Sequence, residues 1–223
     1  MTVILVLATF VTFIAIDYFL ARKKAPVFAA QQVRRDVAVP RVQTKVIGGF
    51  QVQPNLKYHP GHTWAVAESP NLVRVGIDDF AAKLVGKVEA INLPQRGQWI
   101  RQGQKVLSFK KNGQTIDMVS PIEGSITDIN DAAIKNPELA RTDCYGDGWL
   151  LAVQSPDAKT NFRNLLGGAL VRQWTEECAA RLSGQMARPA MVAMADGGEA
   201  ADDLSTHFEA EKYGEIVKEF FLS

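Results

Sequence analysis

The stretch KVLSFKKNGQTIDMVSPIEG, residues 105–124, reads as two alternating strands joined by Asn112-Gly113. Both central residues of a type I′ turn need positive φ, which Asn and Gly adopt at least cost, and the twist of that turn suits the strands it joins. A tight hairpin over 105–119 is therefore predicted. Working outward from it, short runs broken by Gly, Pro, Asn and Asp give candidate strands at 62–67, 73–77, 86–91, 124–129 and 149–153. Asp78 is placed to cap a short helix over 79–85 that stops at Gly86, and Asn130 to start a helical turn over 131–135 stopped by Asn136-Pro137. The middle of the chain is thus expected to be a mainly β module with brief helical insertions.

The flanks differ in character. Residues 3–21, VILVLATFVTFIAIDYFLA, are long enough to cross a ~30 Å hydrocarbon core as a helix. No positive segment precedes this run and no small-residue cleavage pattern follows it, which favours a membrane anchor over a cleaved signal peptide. Arg22, Lys23 and Lys24, with Arg34 and Arg35 beyond, put the body on the cytoplasmic side of the bilayer. Asp17 inside the run reads either as an interfacial carboxylate neutralised by those cations or as a contact with a partner helix. The expected domains are an anchor over 1–24, a tether over 25–55, a globular domain with its C-terminal helix over 56–186, and a loose connection with a terminal amphipathic helix over 187–223.

In the C-terminal third, Phe162, Leu165, Leu166, Ala169, Leu170, Trp174, Cys178 and Leu182 recur at helical spacing over 160–186. Gly167-Gly168 weakens the middle by about 1 kcal/mol per glycine, so a break is expected there. Leu204, Phe208, Ile216, Val217, Phe220 and Phe221 give a last helix its apolar face, with Asp202 and Asp203 suited to its N-terminal dipole. That face either docks on the chain's own barrel or is offered to a partner through Phe208, Phe220 and Phe221.

The 223 residues are 47% hydrophobic and 22% charged with a net charge of +1, which argues for a folded domain and against nucleic acid as a partner. Cys144 and Cys178 match no metal-ligand spacing and read as free thiols. His59 and His62 form H-x-x-H without further clustered ligands, so no metal site is expected. No nucleophile with a matched base, carboxylate pair or phosphate loop stands out, so the chain is not expected to be an enzyme.

Taken as an ordered set, several motifs resemble the H protein of the glycine cleavage system. They are His62-Thr63-Trp64, the run 75–81 with Leu84 and Gly86, Leu93-Pro94 with Gly97 and Gly103, residues 120–124, Asn130, residues 136–139 and residues 145–150. The resemblance covers roughly 58–157 and implies the flattened barrel-sandwich of lipoyl and biotinyl carriers. With the N-terminal transmembrane helix and the C-terminal helices, this completes the expected fold.

Members of that family carry lipoate on a lysine at a hairpin tip. Gly103 and Ser120-Pro121 fix the register on either side, and an ungapped count between them sets Gly113 at the position of that lysine. Lys110 then stands where the family has an acidic residue. Lys111 and Lys110 are the substitutes for attachment; otherwise they are solvated lysines on opposite faces of an edge strand. No lipoate or other cofactor is therefore expected. The missing lysine, the anchor and the apolar C-terminal helix together point to a non-lipoylated accessory or scaffold subunit of a membrane complex, tied to the bilayer through residues 3–21. The alternatives are a lipoyl carrier modified at Lys111 or Lys110, and an unmodified docking module for lipoylated partners.

Overall fold

The computed structural model describes residues 44–186 and 200–222. The apolar run 3–21 with Asp17, the first part of the tether and most of the connection after 186 lie outside the described residues. Among the described residues no helix is long and apolar enough to cross a membrane.

Strands β1 (Lys45–Ile47) and β2 (Phe50–Val52) form a small antiparallel pair. Strands β3 (Lys57–Tyr58), β4 (Thr63–Ser69), β5 (Leu72–Ile77), β7 (Trp99–Ile100), β10 (Gly124–Ile129) and β11 (Leu151–Gln154) build a six-stranded antiparallel sheet in the order β3-β4-β5-β11-β10-β7. Strands β6 (Ala90–Asn92), β8 (Lys105–Lys111) and β9 (Gln114–Val119) form a three-stranded sheet in the order β6-β8-β9. Alternation sends Val73, Val75 and Ile77 from β5, and Leu107 and Phe109 from β8, into one shared hydrophobic core. The mainly β architecture with short helices is the one expected: β8, β9 and β10 have the expected bounds, β4, β5, β6 and β11 differ at their ends by up to four residues, and β3 and β7 were not among the expected strands.

Helix α1 (Asp79–Val85) starts at Asp78, whose Oδ1 accepts from Ala81 N at 2.8 Å, and it ends at Gly86 with φ of +65°. Helices α2 (Asp131–Lys135) and α3 (Glu138–Thr142) flank the Asn136-Pro137 stop. The predicted helix over 160–186 is two helices, α4 (Ala158–Arg163) and α5 (Ala169–Gln185). Between them, Tyr58 and Leu166 exchange backbone hydrogen bonds of 3.0 and 2.8 Å, so the chain leaves the helix to bind β3.

One expectation needs correction, and one open alternative is resolved against contacts of Phe208, Phe220 and Phe221 with a partner. Residues 45–52, read as tether, form the β1–β2 pair, and Phe50 is buried against Phe80 with ring centroids 4.7 Å apart. The last helix, α6 (Ala210–Phe221), turns Phe220 and Phe221 into the core of this chain, where both are buried, and Phe208 packs partly buried against that core. These aromatics therefore stabilise the chain's own fold, because burying rings of this size outweighs leaving them in water for a partner. Asp203 lies before a 3₁₀ turn at Leu204–His207 and bonds the barrel, not the N-terminus of α6.

Candidate functional site

The β8–β9 hairpin is paired in full register at its end, Lys111 opposite Gln114 and Lys110 opposite Thr115. Asn112 and Gly113 make the turn with φ of +49° and +75°, and a Cβ on Gly113 would meet nothing within 4 Å. The turn is thus open to solvent and holds no amine, as read from the sequence. Asn112 N donates to Glu89 Oε1 at 3.0 Å, and Ser108 Oγ donates to Asp117 Oδ1 at 2.7 Å, which ties the outer face of the hairpin together.

Lys110 is exposed, as expected. Lys111 is not. It shares the inward side of β8 with Leu107 and Phe109 and is 9% exposed. Its Nζ donates to Val85 O at 2.7 Å, lies 3.2 and 3.3 Å from the two Asp203 oxygens, and donates to Ser205 Oγ. Three acceptors satisfy the three donors of an ammonium, which makes burial of the charge tolerable. Burial alone would push the Asp203 carboxyl up, but bonds from Ser205, Lys87 N and Lys111 outweigh it and hold it below the usual carboxylate range. A solvated lysine was the expectation; the actual position follows from strand alternation combined with a carboxylate supplied from far along the chain.

A second polar cluster is buried where the entry to β4 meets α1, α5 and α6. His62 has φ of +61°, its backbone carbonyl accepts from Asp78 N at 3.1 Å, and its Nδ1 lies 2.8 Å from Asp78 Oδ2. The ring stacks on Phe80 at 4.1 Å and leans on Trp174 at 4.6 Å. Burial alone would lower its pKa, yet the Asp78 carboxylate, with Cys178 contributing, pushes it up to about 9. His59 Nδ1 accepts from Gly61 N at 3.0 Å, so each histidine of the H-x-x-H pair is engaged by protein. Cys144 and Cys178 are both buried free thiols.

A polar cleft of about 410 Å³ opens between β2, α1 and α3, with Gln51, Asp79, Lys83, Arg141 and Tyr145 in its walls. Lys83 Nζ pairs with Asp79 Oδ2 at 3.0 Å, and Tyr145 donates to Gln51 O at 2.7 Å. This lining links elements together and brings no nucleophile beside a free base.

Sequence reasoning found the open turn but missed the clasp on Lys111 and the Asp78–His62 pair. Strict alternation from Phe109 was the available signal for Lys111, since it marks that lysine as inward. Asp78 had been read only as a helix cap, although one carboxylate has an oxygen for each role.

The family model described as glycine cleavage H-protein matches residues 56–177. A glycine cleavage system H protein of Coprothermobacter proteolyticus is 34% identical over 108 residues, covering 48% of this chain and 85% of that protein. One from Mycobacterium avium is 35% identical over 107 residues, covering 48% of this chain and 81% of that protein. A solved glycine cleavage system H protein from Mycobacterium marinum is 25% identical, covers 56% of this chain and 98% of its own, and has a TM-score of 0.48. With more than half of its length matched by the family model, the chain belongs to the glycine cleavage H-protein family.

Proposed function

We propose that this chain is an unmodified docking module of a glycine cleavage-type system, presenting the barrel and hairpin to proteins that handle the lipoyl group without bearing that group itself. Its relatives are named as H proteins of the glycine cleavage system, and proteins of that family are carriers acted on by others, not catalysts. One observation carries the reading: the hairpin turn is Asn112-Gly113, and the nearest inward amine, Lys111, is buried beneath Asp203 and Ser205. An attaching enzyme needs an amine it can reach, and acylating Lys111 would remove the ammonium that pairs with the half-buried Asp203 carboxylate. Intact-mass measurement of the chain isolated from its own cells tests this. A mass equal to that of the unmodified sequence is expected, and a lipoyl adduct would refute the proposal.

A second reading has its own support. Lys110 is exposed on the outer face of the same hairpin, so a lipoyl group attached there would make the chain a carrier in the manner of its family. Peptide mapping of residues 105–119 separates the two readings.

The setting is part of the proposal. Residues 3–21 anchor the chain in a bilayer with the barrel on the cytoplasmic side, so that it serves as an accessory or scaffold subunit of a membrane complex. Carbonate-resistant sedimentation with membranes, together with protease access from the cytoplasmic face, is the expected result. Release by carbonate would remove the anchor from the reading.

A further inference from the structure

Residues 200–222 lie against the three-stranded sheet and α1, where α6 contacts β9 and α1 and the 3₁₀ turn contacts α1. Their apolar side is buried through Leu204, Ile216, Phe220 and Phe221, while Glu211, Lys212 and Lys218 face solvent. Polar contacts hold the segment at two places, the end of α5, where Gln185 Nε2 donates to Glu219 Oε2 at 2.8 Å and Lys212 Nζ donates to Gln185 O at 2.7 Å, and the hairpin. Lys111 and Gln114, the cross-strand pair that flanks the turn, both bond this segment: Lys111 to Asp203 and Ser205, and Gln114 Nε2 to Ala210 O at 3.4 Å. Asp203 also accepts from Lys87 N at 3.2 Å, and its Oδ1 lies 2.0 Å from where a Cβ on Gly86 would stand. The carboxylate therefore fits only because α1 ends in glycine. Tyr213 adds a bond of 3.3 Å to Leu84 O.

The last turn of the hairpin is thus clasped from both strands by the same amphipathic segment. An apolar helix seated on a sheet edge, preceded by a carboxylate on a buried lysine, is the arrangement of a helix in a groove. Here the occupant belongs to the chain, which gives it a high effective concentration over any competitor in solution.

We propose that residues 200–222 are a displaceable strap that holds this docking face in cis, locked by the Lys111–Asp203 pair. A partner gains the hairpin by presenting an amphipathic helix that carries its own carboxylate to Lys111. The inference rests on the docking reading for what the uncovered face does, while detachment of the strap is measured independently of any partner.

Hydrogen exchange of the full chain provides the first test. Amides of 204–221 should exchange at least about tenfold faster than those of β5 and β11, as expected when a segment opens below the global unfolding energy. Asp203→Asn should speed exchange in that segment and raise acylation of Lys111 by a soluble amine-reactive ester on the order of tenfold, the loss of one charge-assisted bond. Reactivity of Lys110 should not change. A dye-labelled peptide of residues 200–222 should bind the Asp203→Asn chain more tightly than the wild type.

Exchange of 204–221 in step with β5 and β11, Lys111 as reactive as Lys110 in the wild type, or a peptide that binds neither chain would each overturn the strap. Should Asp203→Asn fail to fold, the wild-type exchange profile and wild-type Lys111 reactivity decide. A lipoyl adduct on Lys110 would end the docking reading and leave these results standing.

Discussion

Lys111 Nζ and Asp203 Oδ1 lie 3.2 Å apart although 92 positions separate them in the chain. The pair couples the hairpin to the C-terminal segment, and its two members are not equivalent. Removing the carboxylate leaves a nearly buried ammonium without its counter-charge, whereas removing the amine leaves a carboxylate that still accepts from Ser205 and Lys87 N. Asp203→Asn should therefore cost about 1–3 kcal/mol and Lys111→Met less. The double variant should recover part of the loss. Urea unfolding of the three proteins checks the order, and equal costs for the two single variants would contradict it.

Stability should also fall on the alkaline side. The folded-state pKa of His62, about 9, stands above its ordinary value of 6.5. Its contribution is fully present below that ordinary value and is lost as pH rises through about 9, because the unfolded chain releases the proton first. For a wholly buried pair the total is on the order of 3 kcal/mol. Urea midpoints should decline between pH 7 and 9.5, and Asp78→Asn should flatten that decline. The asparagine retains an oxygen for the α1 cap, so a flat profile would report the pair and not a lost helix.

What could be read from the sequence was whatever local chemistry specifies. Asn112-Gly113 set the hairpin, and Asp78, Gly86 and Asn130 set helix ends, since each acts on backbone within a few residues of itself. The β1–β2 pair was hidden because strands of three residues have no period to detect. They are held from outside: a Cβ on Gly48 would lie 2.7 Å from Ala179 Cβ on α5. The amphipathic face of α6 was legible, but its seat was not, because nothing local distinguishes an aromatic pair stored in cis from one offered to a partner. The inward side of Lys111 was legible from its alternation with Phe109, but its partner was not, because the counter-charge lies beyond α5.

The turn gives a sharper test of the open tip. Gly113→Ala should cost about 1 kcal/mol, from the positive φ alone, because the added methyl meets no neighbour. Gly113→Lys should fold with a similar penalty and place an amine on the turn. Incubated with a lipoate-attaching enzyme, Gly113→Lys combined with Lys110→Glu should gain a lipoyl adduct while the wild type does not. Modification of the wild type to the same extent would show that the turn residue does not control attachment.

Asn130 separates an amide from a carboxylate. Its Oδ1 accepts from Ala132 N at 3.1 Å and Ala133 N at 3.3 Å, while its Nδ2 donates to Asp147 O and Trp149 O, both at 2.7 Å. One buried side chain thus caps α2 and pins the segment that leads into β11. Aspartate would keep the cap but cannot donate to the two carbonyls, and its charge would face them. Asn130→Ala should lose about 2–3 kcal/mol, a cap together with unpaired carbonyls, and Asn130→Asp should not restore it. Serine is the contrasting substitution, since it caps without charge. Thermal unfolding should rank wild type first, Asn130→Ser next and Asn130→Asp no higher than Asn130→Ala, whereas full rescue by aspartate would mean that only the cap matters.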